Sequence, residues 1–203
     1  GNKVTVAGGT ISQTDAVNNH LSGADADGNT VTNDFKTSAV NGTTQAAEKT
    51  SADGKESTKT VNNTSAGGTG VTTSKTTTDS KDNVTVKESS FGTNEKGMTL
   101  STSNKVTDKD GKVTKDTSGT TTMTGDSISV SKTTTTTEKD ADGNEKEVTK
   151  TSGTTIGSGE VTLKREDGST IEVGSAIEGM QSDMRELDGR VNRMGAVSYT
   201  HLT

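Results

Sequence analysis

The chain has 203 residues, a formal net charge of −6, 23% hydrophobic and 1% aromatic residues, and no Cys, Pro or Trp. Two Phe and one Tyr cannot fill a compact single-chain core, and zero Cys removes disulfide frameworks and thiol chemistry together. The acidic balance, with no basic patch interleaved with aromatics, argues against nucleic acid as a target.

A chain this polar also fits intrinsic disorder. Against that stand the absence of Pro, the regular placement of Gly, and 42 Thr and 22 Ser, which favour extended, hydroxyl-lined strands. No apolar run approaches the ~20 residues of a membrane-spanning helix, and no signal peptide is visible. Because the chain opens on Gly1, it is read as an internal piece of something longer, so a missing leader says nothing about export.

In chain order, residues 1–66 read as an irregular β and loop segment. Val4 and Val6 alternate before a Gly8–Gly9 break and Ile11, and His20 is read as a loop residue. Asp27–Gly28 and Asp53–Gly54 flank weakly apolar stretches such as Val31 to Phe35. Asp-Gly between short alternating runs predicts hairpins whose two central residues both take φ > 0. The patch Ala46–Lys49 reads as a helical turn on which nothing depends.

Residues 67–172 read as a repetitive Thr/Ser/Gly-rich β stalk. Ser-Gly-Thr-Thr occurs at 118–121 and again at 152–155, 34 residues apart. Each block leads to a Gly (Gly125, Gly159), an acidic residue (Asp126, Glu160) and an alternating strand, Ile128–Lys132 or Val161–Arg165. A period of this length predicts stacked units, none able to bury its face alone. The runs Thr76–Thr78 and Thr133–Thr137 fall where solvent-facing β positions are expected. One wall of each strand faces something apolar, and the simplest geometry has three chains around an axis lending sheet edges to one another.

Residues 173–196 carry the most regular pattern. Apolar residues fall at Val173, Ile177, Met180, Met184, Leu187, Val191 and Met194, in steps of 4, 3, 4, 3, 4, 3. This is a heptad with Ile177, Met184 and Val191 at a, and Val173, Met180, Leu187 and Met194 at d. So narrow a seam needs a partner helix, and the chain holds no second one of this kind, so the partner is another copy. These seven residues are the predicted oligomerisation site. Gly179 and Gly189 weaken the isolated helix by roughly 1 kcal/mol each relative to Ala, tolerable only if assembly stabilises it. Residue identities at a and d leave dimer and trimer open.

The segment Arg185–Ala196, R E L D G R V N R M G A, resembles the neck of trimeric autotransporter adhesins, with Arg190, Val191, Asn192, Arg193, Gly195 and Ala196 in the places of that family's heptad-ending phrase. The preceding Thr/Ser/Gly-rich array is similar in composition to the family's stalks. The neck likeness covers about 12 residues and the stalk likeness about 130. The resemblance implies a Gram-negative surface fibre exported by type V secretion: an intertwined homotrimer whose coiled coil enters a twelve-stranded outer-membrane barrel. It also implies a host or matrix ligand held by a head outside this fragment, and a net charge of 3 × −6 = −18. The sequence departs from the family after Ala196. Residues 197–203, V S Y T H L T, resemble translated sequencing-adapter read-through and are read as a non-native tail.

The fold expectation is therefore mainly β and fibrous: a hairpin stalk followed by a short parallel coiled coil. Other chemistry finds little support. D-A-D-G-N at 25–29 and 140–144 suggests calcium, but Gly stands fourth rather than sixth and no Glu closes a twelve-residue loop, so a hairpin turn is the better reading. His20 and His201 make no site by spacing. No phosphate-cradling loop opens a helix, and Ser and Asp lack a base to form a nucleophile constellation. The Asn41, Asn62, Asn63 and Asn83 sequons are chance matches in an Asn- and Thr-rich chain. No enzyme, metal or cofactor is expected. A phage tail-fibre shaft and a disordered surface linker are the alternatives.

Overall fold

The computed structural model describes residues 17–202. The predicted strand and turn at Val4–Ile11 lies outside them. The described residues form twelve strands and one helix: β1 Val17–Ala24, β2 Thr30–Ser38, β3 Gly42–Thr50, β4 Glu56–Ser65, β5 Gly68–Thr78, β6 Val84–Asn94, β7 Gly97–Thr107, β8 Val113–Met123, β9 Ser127–Lys139, β10 Glu145–Gly157, β11 Val161–Lys164, β12 Thr170–Glu172 and α1 Val173–Thr200.

All twelve strands form one antiparallel sheet in chain order, β1 to β12. Among the described residues every strand touches only its sequence neighbours, and α1 meets only β11 and β12, so they form an open single-layered sheet. Among the described residues no side chain is buried. The accessible surface is 14761 Å², against roughly 8,900 Å² expected for a compact monomer of this mass. Each strand from β2 to β11 has both of its ladder partners within the chain, and β1 and β12 are the two edges of the sheet. The ladders from β1 to β12 close within one chain, because each strand is followed by a turn short enough to fold straight back.

The turns explain that registry. At 25–29, 79–83, 108–112, 140–144 and 165–169 the first residue's N–H donates to the carbonyl of the fifth, and the fourth residue's N–H donates back to the first carbonyl. The fourth residue has positive φ: Gly28, Gly111, Gly143 and Gly168, with Asp82 in the remaining case. This is a type I turn closed by a left-handed residue. It corrects the predicted pairs of positive-φ residues, since Asp27 and Asp142 stay out of that region. Asp25 Oδ1 accepts from the amides of Asp27 and Asn29, each at 3.0 Å, while Asp25 Oδ2 takes Asn29 Nδ2 and Lys49 Nζ at 2.9 and 2.7 Å. Lys49 first, then Asn29, hold the Asp25 carboxyl far below the usual carboxylate range. The D-A-D-G-N motif at 25–29 thus spends its carboxylate on its own turn.

Two local expectations are also corrected. Ala46–Lys49 lies in β3, paired with Lys59–Val61 and Thr58 of β4, because alternation and two flanking ladders outweigh a weak helical preference. His20 stands in β1 opposite Asp34 of β2, its Nδ1 2.6 Å from Asp34 Oδ1.

The Thr-rich stretches become hydroxyl ladders. Thr133 and Thr151 approach to 2.9 Å, Thr135 and Thr149 to 3.0 Å, and Ser129 and Thr155 to 2.6 Å, each pair joining β9 to β10. Cross-strand Thr pairs of this kind are a unit of sheet stabilisation. The Lys112 ammonium, in the loop at 108–112, also pairs with the carboxylate of Glu145, the first residue of β10.

Candidate functional site: an exposed seam and an apolar sheet face

The seven heptad residues all lie on α1. Six of them are exposed, from Ile177 at 47% to Met184 at 70%, and Val173 is half-buried at the helix base. No other helix is present among the described residues to cover them. The helix runs past Ala196 to Thr200, so the composition break there is not a break in structure. No described helix is long and apolar enough to cross a membrane.

How α1 starts was not legible. Its N-cap residue, Glu172, makes no side-chain capping bond, and its first turn holds no acidic residue. The cap comes from Glu160 in the β10–β11 turn. Glu160 Oε1 accepts from Gly174 N at 2.6 Å and Val161 N at 2.9 Å, while Oε2 accepts from the amide and hydroxyl of Ser175 at 3.1 and 3.2 Å. A carboxylate at a helix N-terminus meets unpaired N–H groups and the positive end of the dipole. Those amides, Gly174 first and Val161 next, hold the Glu160 carboxyl below its ordinary value. The position was visible in the sequence as the acidic residue after Gly159, but its role needs β11 and β12 to fold back first.

The sheet has two unlike faces. Residues paired across an antiparallel ladder share a face, as do i and i+2. Tracing the register from Asn62 through Val71, Phe91, Leu100, Thr121, Val130, Thr154 and Leu163 to Ile171 stays on one face. The adjacent row on that face runs Thr93, Met98, Met123, Ile128, Ile156, Val161. Val17, Leu21, Val31 and Phe35 share the same face at the other side of the sheet. The opposite face is lined by Thr, Ser and charged residues, with Val61, Val84 and Val86 as its larger apolar members. A shallow depression of about 490 Å³ on that polar face is floored by Gly68, Gly70, Gly92 and Gly97.

Apolar face and helix seam meet. Val161 of the sheet row, Val173 and Ile177 of the heptad, and the Glu160 turn line one cavity of about 350 Å³. The sequence presents these residues more than ten positions apart, and the β11–β12 hairpin brings them together. No protein-family model, curated protein or solved structure matches the chain.

Proposed function

We propose that this chain is the stalk and neck of a trimeric autotransporter adhesin, a surface fibre that projects a distal binding head from the outer membrane of a Gram-negative-type bacterium. The observation that carries the reading is the exposed heptad. A 28-residue helix offers six of its seven seam residues to solvent and, among the described residues, meets the sheet only at its base. In water that arrangement is unfavourable until other helices cover the seam, since each large apolar side chain gains roughly 1.5–3 kcal/mol on full burial. Three parallel copies bring the seams together on one axis and place three sheets above them. The work of such a protein is spatial: it spaces a head away from a membrane and joins it to an anchor. It performs no catalysis, and its partners are its own copies and, through a head outside this fragment, a host or matrix ligand.

The reading is tested by joining the chain in heptad register, at Ala196, to a trimeric outer-membrane barrel anchor in a Gram-negative host. Export to the surface as a protease-accessible three-chain species is the expected result. Retention of single chains in the periplasm, with the anchor alone still assembling, contradicts it.

A further inference from the structure

We infer that the apolar face of the β5–β12 sheet is covered by the same face of other copies of this chain, as a continuation of the helix seam. The inference rests on the self-assembly reading above and deepens it by saying which side of the sheet looks inward.

Three observations point to a copy of this chain as the occupant. First, the face and the seam are one surface: Val161 ends the row Met98–Met123–Ile128–Ile156 and shares a cavity with Val173 and Ile177. Second, the helix base is fixed to the sheet by the Glu160 carboxylate, which binds Gly174 and Ser175 from the turn that opens β11. A seam turned toward a neighbouring seam therefore carries the apolar rows toward that neighbour's sheet. Third, neither row contains a charge. The first on this face, Lys132, lies one row farther from the Asp126 and Glu160 turns. An uncharged band of Val, Leu, Ile, Met, Phe and Thr is complementary to itself, and it offers no pairing to an acidic polymer or an anionic lipid surface.

Because the chain has no Cys, single thiols report each face directly. Ile128→Cys places one on the apolar face. Ser129→Cys places one on the polar face a residue away. Ile156→Cys and Thr155→Cys form a second such pair on the neighbouring strand, in case one position disturbs folding. Each full-length variant is kept reduced, its mass measured by light scattering, and its thiol then reacted with a bulky maleimide. The expected result is a three-chain mass with thiols 128 and 156 labelled at least tenfold more slowly than 129 and 155. The slow rates should rise to the fast ones when Met184→Lys is added to separate the chains. A three-chain mass with all four thiols equally reactive overturns the inference and leaves the seam reading intact. A single-chain mass for every variant overturns both.

Discussion

Glu160 Oε1 lies 2.6 Å from the amide nitrogen of Gly174, so a loop carboxylate fourteen residues upstream caps the helix that the chain's own N-cap residue leaves open. The contact is close because residue 174 has no side chain: a Cβ there would come within 2.9 Å of the same oxygen. It fixes where the helix begins and ties the helix to the sheet.

This cap has a pH signature. The Glu160 carboxyl is held below its ordinary value by amides that exist in this arrangement only in the folded state. Its contribution is therefore fully present above the unfolded value, roughly 4.3, and is lost as pH falls through the lowered folded value. Glu160→Gln should lower the thermal midpoint at pH 7 and flatten the part of the acid titration that follows helical dichroism below about pH 4.3. An unchanged acid profile for the variant would show that the carboxylate does not cap α1.

Gly97→Ala should open the middle of the sheet. At φ 141° the added Cβ would stand 2.1 Å from the Met123 carbonyl oxygen, so either β7 or β8 must move. A loss of about 2 kcal/mol or more is expected, read as faster amide exchange in β7 and β8 than in β2 and β3. Gly143→Ala, at a loop tip where a Cβ meets nothing, should leave exchange in those strands alone and cost only its positive φ.

Asp82→Gly should stabilise. Asp82 occupies, at φ 61°, the place that Gly28, Gly111 and Gly143 hold in the equivalent turns. Removing the left-handed strain should gain about 0.5–1 kcal/mol, measured as a rise in the denaturation midpoint. No gain, or a loss, would mean that the Asp is not strained there.

What was readable in the sequence was what depends on spacing within one element. The heptad from Val173 to Met194 requires only a count of steps, and α1 begins at Val173, the residue where the count begins. The Asp-Gly dipeptides mark the turns, but not their type, because the hydrogen bonds that the Asp25 and Asp140 carboxylates accept from the amides of Asn29 and Asn144 are what select a type I turn. The two-faced sheet was only half visible. Strands containing Ile128 and Val130, or Val161 and Leu163, announce an apolar side, but which sides coincide depends on loop parity. The two Ser-Gly-Thr-Thr blocks make the point. They fall on β8 and β10 one residue out of register, so that Gly119 and Gly153 face opposite ways, while the apolar strands after them return to a common face. Seven residues separate Thr121 from Ile128 and six separate Thr155 from Val161, and that single residue makes the difference. The Glu160 cap and the cavity joining Val161 to Ile177 need a third level, the return of β12 beside β11, which no local pattern encodes.

The measurement that bears most directly on this account is the solution mass of the full chain by light scattering, alongside that of Met184→Lys. Met184 is the most exposed seam residue, at 70%, and sits at a central a position. A three-chain mass for the native sequence and a single-chain mass for the variant are predicted, with the strand dichroism of both alike. A native chain that runs as a single copy at all concentrations, with its helix still formed, would contradict the claim that the heptad seam is an interface.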